Sequence, residues 1–471
     1  MSLINFSGIA SGIDSSSLIK ALLDQERTAR VKPLQTNIAD LEDTNASFSQ
    51  LKDLLQKLNS SANKFRTISG SAVVKTASSS DETILTGSAS NSATNGTYSI
   101  NVSQLAKNAT YSFKTNSSSY SSADSIINSS INNGASSTDR TVAFTIGTGS
   151  DQEVVNVALT NTSTLNDLVT SFNNSSTKGT ASVVNAGTSA SPDYRVVINT
   201  DNQGLSKGQI SVSVGTEITT AGSGALNNNT TSQATDSTLS ISGISGTITR
   251  STNSISDVIN GVTLNLQSTG SAVISVGDDS NATVSNVQSF VDAYNDVVNY
   301  IAENDLVTRQ EDSGEVQNIF GALAGTSLDE NILTSLRNAI SGSGTTGRTV
   351  NVFADLGITT ERDGTLKFDS AKLKEAVSND PEGVRTITQN LGDTLAGVSG
   401  TIAQYTRFNG LIDQATSANT SGISGMQSKI ADTEKSLSER EASLTAQFAR
   451  LESLIGQLNS QQQQLSALLP G

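Results

Sequence analysis

The residues that could perform chemistry in this 471-residue chain are carboxylates and one glycine-rich loop. Asp278 and Asp279 stand beside Asn281 and could ligate a cation, but they lack the spacing of a calcium loop. Residues 342–347 have the glycine spacing of a dinucleotide-binding loop, which should follow a strand and open a helix. Here the preceding residues predict a helix instead. We interpret the acidic pair as a solvated turn and the glycine stretch as a flexible loop.

Composition excludes most other kinds of site. The chain has 0 His and 0 Cys, so it has no His-based triad, thiol nucleophile, His/Cys zinc site, iron–sulfur centre or disulfide. Carboxylate pairs for glycoside cleavage are available among the 44 Asp and Glu residues, yet no spacing places two of them together. We therefore predict no cofactor, no metal and no enzymatic activity, and we keep a glycan-processing enzyme as one alternative.

The net charge of −15 argues against binding to a nucleic-acid backbone, and it is unevenly distributed. Residues 14–66 hold 8 basic and 7 acidic residues, and residues 426–471 hold 4 and 5. Residues 67–280 hold 8 and 14, and residues 281–425 hold 9 and 18. Nearly neutral ends can approach copies of themselves with little repulsion, while the acidic body keeps the molecule in solution.

The elements that would position any functional residues begin with helices at both ends. Pro33 suits the first turn of a helix. A seven-residue apolar repeat follows it, at Leu34, Leu41, Phe48 and Leu55, widened by Ile38, Leu51 and Leu58. The C-terminal end carries a longer seven-residue series, which we call the first seam: Ile430, Leu437, Leu444, Leu451, Leu458 and Leu465. Such a repeat predicts a helix whose stripe needs a partner helix, either within the chain or in another copy.

A second seam on the C-terminal helix is offset by four residues from the first. It comprises Glu434, Glu441, Phe448, Ile455, Gln462 and Leu469. Because Glu434, Glu441 and Gln462 are polar, we expect them to weaken this part of the coil and to keep its pairing from becoming permanent.

The middle of the chain, about residues 70–280, changes to an alternating pattern that predicts strands. Clear alternation occurs at residues 98–102, 142–146 and 210–214. The Asn95-Gly96 and Asn133-Gly134 pairs predict hairpin turns between such strands. One helix should interrupt the strands after Thr164, a plausible N-cap. Residues 219–235, rich in Gly, Asn, Ser and Thr, predict a loop or a domain boundary.

Helix returns from about residue 282, with apolar faces at residues 284–301, 326–340 and 370–377, and a short hairpin is predicted at residues 364–368. We therefore predict a multidomain α and β fold. Its terminal helices form a coiled-coil leg and a helical bundle, and nested β-rich domains are inserted in the middle. The predicted domains are a leg (1–44 and 432–471), a helical bundle (45–72 and 281–431), a β-rich domain (73–106 and 232–280) and an inserted α+β domain (107–231).

Signals for targeting are missing from the usual places. The first residues lack a basic segment followed by an apolar one, which argues against a cleaved secretory signal. No run of about 18 apolar residues occurs, so we expect no membrane insertion.

Several stretches resemble the bacterial flagellar filament cap proteins, the flagellar hook-associated protein 2 family. These are residues 6–14 near the start, residues 248–266, residues 290–295 and residues 356–358. Residues 140–200 resemble the repeat of flagellin-type domains, so the inserted domain is expected to be flagellin-repeat-like. The resemblance covers essentially the whole chain and is weakest over residues 107–235.

The resemblance implies a protein secreted through the flagellar export apparatus as an unfolded chain, which the absence of disulfides would suit. Outside the cell it would assemble at the flagellum tip as a ring-shaped homo-oligomer, a pentamer or a hexamer, that retains flagellin and promotes its folding and insertion. Further implied partners are the hook–filament junction proteins and a cytoplasmic export chaperone at the C-terminus. A surface adhesin or tail-fibre-like protein is the alternative that the polar, β-rich middle favours.

On this basis we predict the residues that make the assembly and leg contacts. Residues of the C-terminal seams would pair with the N-terminal repeat in the assembled leg. The first set is Leu444, Phe448, Leu451, Ile455 and Leu458, and the second is Leu34, Ile38, Leu41 and Phe48. The other interpretation is that all of them pack only within their own domain.

Overall fold

The computed structural model describes residues 14–114, 119–220, 228–312, 315–341 and 347–468. Four sequence features lie wholly or partly outside these residues: most of the opening stretch 6–14, residues 221–227 of the stretch 219–235, residues 342–346 of the glycine-rich loop, and Leu469 of the second seam. The chain divides into two compact units, one formed by residues 1–72 with 280–471 and the other by residues 73–279. The finer division into four domains stays a prediction.

Helices dominate the two ends of the chain and strands dominate its middle, as the predicted fold class requires. In chain order the helices are α1 (Ser15–Arg30), α2 (Lys32–Asn63), α3 (Leu165–Ser175), α4 (Leu205–Gly208), α5 (Thr216–Thr220), α6 (Ser280–Asn304), α7 (Leu328–Ser341), α8 (Ser370–Asn379), α9 (Pro381–Ala396), α10 (Ala403–Thr406) and α11 (Leu411–Leu468).

The strands lie mostly between α2 and α6. They are β1 (Val74–Ser79), β2 (Leu85–Ala89), β3 (Gly96–Gln104), β4 (Thr110–Lys114), β5 (Thr141–Ile146), β6 (Glu153–Ala158), β7 (Gly179–Asn185), β8 (Tyr194–Thr200), β9 (Ile210–Val214), β10 (Asn228–Ser232), β11 (Ser237–Ile241), β12 (Ile248–Arg250), β13 (Ser254–Ile259), β14 (Val262–Leu266), β15 (Gly270–Asp279), β16 (Val307–Asp312), β17 (Glu315–Phe320), β18 (Ile358–Thr360) and β19 (Leu366–Phe368). The predicted fold class is confirmed.

The helical unit is a bundle built around α2. The face of α2 that carries Phe48, Leu51, Leu55 and Leu58 is buried, as the seven-residue repeat predicts for a helix between partners. Phe65 follows α2 and packs on Phe290 of α6, with ring centroids 5.5 Å apart. The hairpin predicted at residues 364–368 is formed by β18 and β19, whereas the hairpin of β16 and β17 was not predicted.

The β-rich unit has two hydrophobic cores. One lies between a five-stranded sheet ordered β1-β15-β3-β11-β12 and a three-stranded sheet ordered β13-β14-β2, and it includes Ile100, Leu239, Leu264 and Ile274. The other belongs to the inserted segment, where the sheets β10-β4-β8-β7 and β6-β5-β9 accompany α3. There Phe144 of β5 and Phe172 of α3 meet edge to face at 5.2 Å.

Of the local features predicted in the β-rich unit, the helix cap is present and the hairpin turn is not at the predicted place. Thr164 caps α3, and its side chain and that of Asp167 form a reciprocal capping box, which confirms the predicted cap. The hairpin predicted at Asn95-Gly96 was wrong, because Gly96 begins β3, whose partners are β15 and β11. Asn133 and Gly134 lie in the long connection between β4 and β5. The short Asn-Gly hairpin turn is at Asn260 and Gly261, between β13 and β14.

Among the described residues, the helices include none with the length and apolar character needed to cross a bilayer.

Candidate assembly surface

The terminal helices α1, α2 and α11 carry the residues predicted to make the leg. Asp14 caps α1: its carboxylate accepts hydrogen bonds from the hydroxyls of Ser16 and Ser17 and from the Ser17 amide. These bonds, the Ser17 hydroxyl first, lower the pKa of Asp14 to about 2. The cap therefore stays charged, and stays opposite the positive end of the helix dipole, in all but strong acid.

The contact between α1 and α11 is a small apolar cluster, which we call the leg cluster. Ile19, Leu23 and Leu437 are buried in it, and Leu444 and Phe448 pack against them half-buried. Since Ile19 and Leu23 are four residues apart, they share one face of α1. Neither residue was predicted from the sequence, although their spacing after the Asp14 cap is a signal that points to them.

Two ion pairs flank the leg cluster and set the register of the helices. Arg27 donates two parallel hydrogen bonds to Glu434, from Nε to Oε1 at 2.8 Å and from Nη2 to Oε2 at 2.9 Å. Arg440 pairs with Glu26 at 3.0 Å. As residue numbers fall along α1 they rise along α11, so the helices are antiparallel. Both pairs are partly exposed to solvent, which screens them, so they contribute more to register than to stability.

Glu434 therefore differs from its expected role. We expected this carboxylate to weaken the second seam, but α1 supplies Arg27 as its partner. The hydrogen bonds and charge of Arg27 hold the pKa of Glu434 below its usual range, and those of Glu434 raise the pKa of Arg27. The sequence could not reveal this, since the two residues stand 407 positions apart.

The contact between α2 and α11 lies at a different level of α11. Lys52 pairs with Asp413, and Asn419 Nδ2 donates to Asn45 Oδ1 at 2.9 Å. Further along, Leu41 of α2 faces Gly422: a Cβ placed on this glycine would lie 3.6 Å from Leu41 Cδ1, an ordinary van der Waals contact.

The predicted contact residues therefore fall into three environments. Phe48 is buried in the bundle, and Leu34, Ile38 and Leu41 are half-buried along α2. Leu444 and Phe448 belong to the leg cluster, and Ile455 is half-buried. Leu451 and Leu458 are exposed. Within one chain, α1 is opposite residues 434–448 and α2 is opposite residues 413–422, so the register separates the two predicted sets. Their pairing in an assembled leg stays a prediction.

The first seam changes character along α11. Leu437 is buried, Leu444 is half-buried, and Leu451, Leu458 and Leu465 expose 51%, 55% and 60% of their surface. Leu454, on the same stretch, exposes 53%. The apolar repeat thus continues past the leg cluster as an exposed stripe, defined here by Leu451, Leu454, Leu458 and Leu465.

The acidic pair considered above as a cation site includes Asp278, which forms an ion pair instead. Asp278 pairs with Lys75 at 2.6 Å. Within the part of the chain that the structure describes, no three carboxylates come together as a metal centre would need.

Comparison with known proteins decides the family. The model of the flagellar hook-associated protein 2 N-terminus matches residues 11–109, and that of the flagellar hook-associated protein 2 C-terminus matches residues 234–460. The chain belongs to the flagellar hook-associated protein 2 family. The matched ranges include α1, α2 and most of α11, which form the surface described above.

Individual relatives are similar over different shares of the chain. The chain is 27% identical to the A-type flagellar hook-associated protein 2 of Pseudomonas aeruginosa, over 98% of this chain and 97% of that protein. It is 33% identical to a B-type protein of the same species over 34% of each chain. The flagellar cap protein FliD of Escherichia coli, solved as its D1-D2-D3 domains, shares the fold with a TM-score of 0.57 at 22% identity, covering 79% of this chain and 99% of that one.

Family membership establishes the role in outline. The chain is a structural cap protein of the bacterial flagellum, exported and located at the filament tip. Members of the family form a cap oligomer that sits on flagellin. The family is not a known family of enzymes. The adhesin alternative is not favoured.

Proposed function

We propose that the chain forms a closed ring of about five or six identical subunits at the filament tip, where it retains exported flagellin and promotes its folding and insertion. The ring acts by contacts that it makes and releases, and its work requires no catalysis. The terminal helices form the legs, and the acidic middle of the chain forms the exposed plate.

The observation that supports this proposal is the exposed stripe on α11. Its residues continue the seam whose earlier positions, Leu437 and Leu444, pack against α1. The helix therefore offers another molecule the same kind of apolar surface that it uses within the chain. Burying one Leu contributes about 1.5–3 kcal/mol, so a few such residues hold a partner without making the contact permanent. A cap that yields its place to each arriving subunit needs contacts of this intermediate strength.

Charge supports the same proposal. The segment 426–471, which carries the stripe, holds 4 basic and 5 acidic residues. Copies of a nearly neutral helix can pack side by side without strong repulsion, whereas the acidic body resists nonspecific association.

A complementation experiment tests the function. In a strain that lacks this chain, we expect no motility and monomeric flagellin in the medium, and the wild-type chain should restore filaments. The double variant Leu451→Gln, Leu458→Gln should be exported normally and fail to restore them. The matched control Ser453→Gln, Ser460→Gln introduces the same side chain two residues further along, at exposed positions away from the stripe. Normal filaments in the deletion strain, or full rescue by the stripe variant, would contradict the proposal.

The same stripe is our proposed site for the export chaperone in the cytoplasm. Removing residues 449–471 should abolish chaperone binding, as measured by titration with the purified chaperone, and retained binding would refute this part. We also propose contact with the hook–filament junction proteins before the filament grows, and crosslinking at nascent filaments would detect it.

A further inference from the structure

A lysine, an asparagine and an aspartate of the β-rich unit meet in one tight cluster. Lys75 Nζ donates to Asn95 Oδ1 at 2.7 Å and lies 2.6 Å from Asp278 Oδ1. Asn95 Nδ2 in turn donates to Asp278 Oδ2 at 2.9 Å. The side chains of Lys75 and Asp278 expose only 6% and 14% of their surface.

Sheet topology creates this cluster. Lys75 is on β1 and faces Asp278 across the ladder with β15, and Asn95 immediately precedes β3 on the other side of β15. β15, which lies between β1 and β3, thus places the Asp278 carboxylate between the amine of a β1 residue and the amide of the residue that precedes β3.

The geometry brings a nucleophile to a carbonyl carbon. Since a C=O bond is about 1.2 Å long, Nζ lies no more than about 3.9 Å from the Asn95 carbonyl carbon. Reacting atoms in a near-attack arrangement are about 3–3.5 Å apart, so a small shift of the lysine completes the approach.

The carboxylate touches both nitrogens that such a reaction would involve. Oδ1 is next to the attacking nitrogen of Lys75, and Oδ2 is next to the amide nitrogen of Asn95 that would leave. A base that can accept a proton at one oxygen and return it from the other is what acyl transfer from an amide requires.

We propose that Lys75 and Asn95 join in an intramolecular isopeptide bond, with Asp278 as the catalytic proton relay. Asp278 takes a proton from the Lys75 ammonium, and the free amine attacks the carbonyl carbon of Asn95. The new C–N bond forms, Asp278 passes the proton to Nδ2, and the bond from that carbon to Nδ2 breaks. The attacking nitrogen loses a second proton, which reaches the departing nitrogen by the same carboxylate. Lysine ammonium and asparagine amide become one secondary amide and one ammonium ion, and the carboxylate is regenerated.

The surroundings suit this reaction. Asn95 is exposed, so ammonia has an open path to solvent. Lys75 and Asp278 are 203 positions apart in the sequence, so the three groups meet only in the folded chain. The chain has 0 Cys, and this bond would give it a covalent link from β1 to β3 that needs no oxidant.

Trypsin provides a direct test on the purified full-length chain. Without the bond, cleavage after Arg66, Lys75 and Lys107 separates the peptide ending at Lys75 from the peptide containing Asn95. With the bond, Lys75 resists trypsin, and a single peptide 67–107 appears that is lighter by about 17 Da, the mass of ammonia. Its fragmentation should give no backbone ions from within residues 76–94. Cleavage after Arg66 and Lys107 in the same digest is the internal control.

Two results would overturn the proposal. One is complete cleavage after Lys75 with both peptides at their unmodified masses, which would leave the cluster as an ion pair only. The other is a loss of about 17 Da confined to the separate peptide that contains Asn95, because cyclisation of Asn95 onto Gly96 also releases ammonia.

Variants assign the roles. Lys75→Arg keeps the positive charge but removes the primary amine, and Asp278→Asn keeps the shape but removes the relay. Both should restore unmodified peptide masses, and Lys75 in the second variant should again be cut. An isopeptide that survives in Asp278→Asn would refute the role of Asp278. If either variant fails to fold, as judged by circular dichroism, the wild-type digest still decides whether the bond exists.

Discussion

Arg27 of α1 holds Glu434 of α11 through two parallel hydrogen bonds of 2.8 and 2.9 Å, and this contact ties the N-terminal helix to the helix that ends the chain. Bidentate geometry specifies distance and orientation together, so the pair fixes which turn of α11 faces α1. The leg cluster and the exposed stripe follow from that register.

The Arg27–Glu434 contact should depend on pH. Because Arg27 lowers the pKa of Glu434 in the folded state, the contact is fully stabilising above the ordinary value near 4.5 and is lost as pH falls through the lower, folded value. We expect Glu434→Gln to speed hydrogen exchange of α1 amides at pH 7, with the difference from wild type shrinking as pH falls below 4.5 and disappearing below the lowered, folded pKa of Glu434. Glu439→Gln, on the exposed side of α11, should change little. A difference that persists in acid would contradict the assignment.

Leu437 should be the residue that holds α1 in place. It is 2% exposed, and truncating a buried Leu to Ala costs about 2–5 kcal/mol, with the lower part of the range expected for so small a cluster. Leu437→Ala should therefore raise exchange rates throughout α1 at least about tenfold, while α2 and α6 keep their protection. Leu454→Ala removes the same atoms from a residue that is 53% exposed and should leave α1 unaffected. Equal effects of the two variants would refute this.

Two helical glycines should respond oppositely to the same substitution. A Cβ on Gly392 of α9 would lie 2.7 Å from the Arg66 backbone nitrogen and 2.9 Å from the Ala62 carbonyl oxygen, so Gly392→Ala forces α9 away from the end of α2. A Cβ on Gly425 of α11 meets nothing within 4 Å. Gly425→Ala should gain up to about 1 kcal/mol from helix propensity. Thermal melts should show a lower midpoint for the first variant and an equal or higher one for the second.

The capping box of α3 gives a local prediction. Thr164→Ala removes the hydroxyl that accepts from the Asp167 amide and should cost about 1 kcal/mol of the free energy of unfolding. Thr170→Ala, at an exposed position within the same helix, should be neutral or slightly stabilising because Ala is the better helix former. Chemical denaturation checks both, and a smaller loss for Thr164→Ala than for Thr170→Ala would rule out the cap.

Features decided by neighbouring residues were predicted well. The Thr164 cap, the hairpin of β18 and β19, and the heptad series along α11 were each visible in a short window of sequence. In each case the residues that determine the structure are close together in the sequence. Periodicity and capping chemistry are therefore sufficient to predict these elements.

Features that depend on pairing across the chain were missed or misplaced. Asn95-Gly96 has the composition of a hairpin turn, but Gly96 begins a strand whose partner, β15, comes about 180 residues later. The roles of Ile19 and Leu23 depend on the level at which α11 passes α1, and no local pattern encodes that level.

By itself the sequence determined the fold class, the absence of His- and Cys-based chemistry, the distribution of charge, and the seven-residue stripe that needs a partner. Only the tertiary structure decided which part of that stripe is covered. It also decided that Glu434 meets Arg27, and that Lys75, Asn95 and Asp278 meet at all. The physical reason is that composition and periodicity are properties of a segment, whereas contacts between distant segments depend on the register at which helices and strands pack.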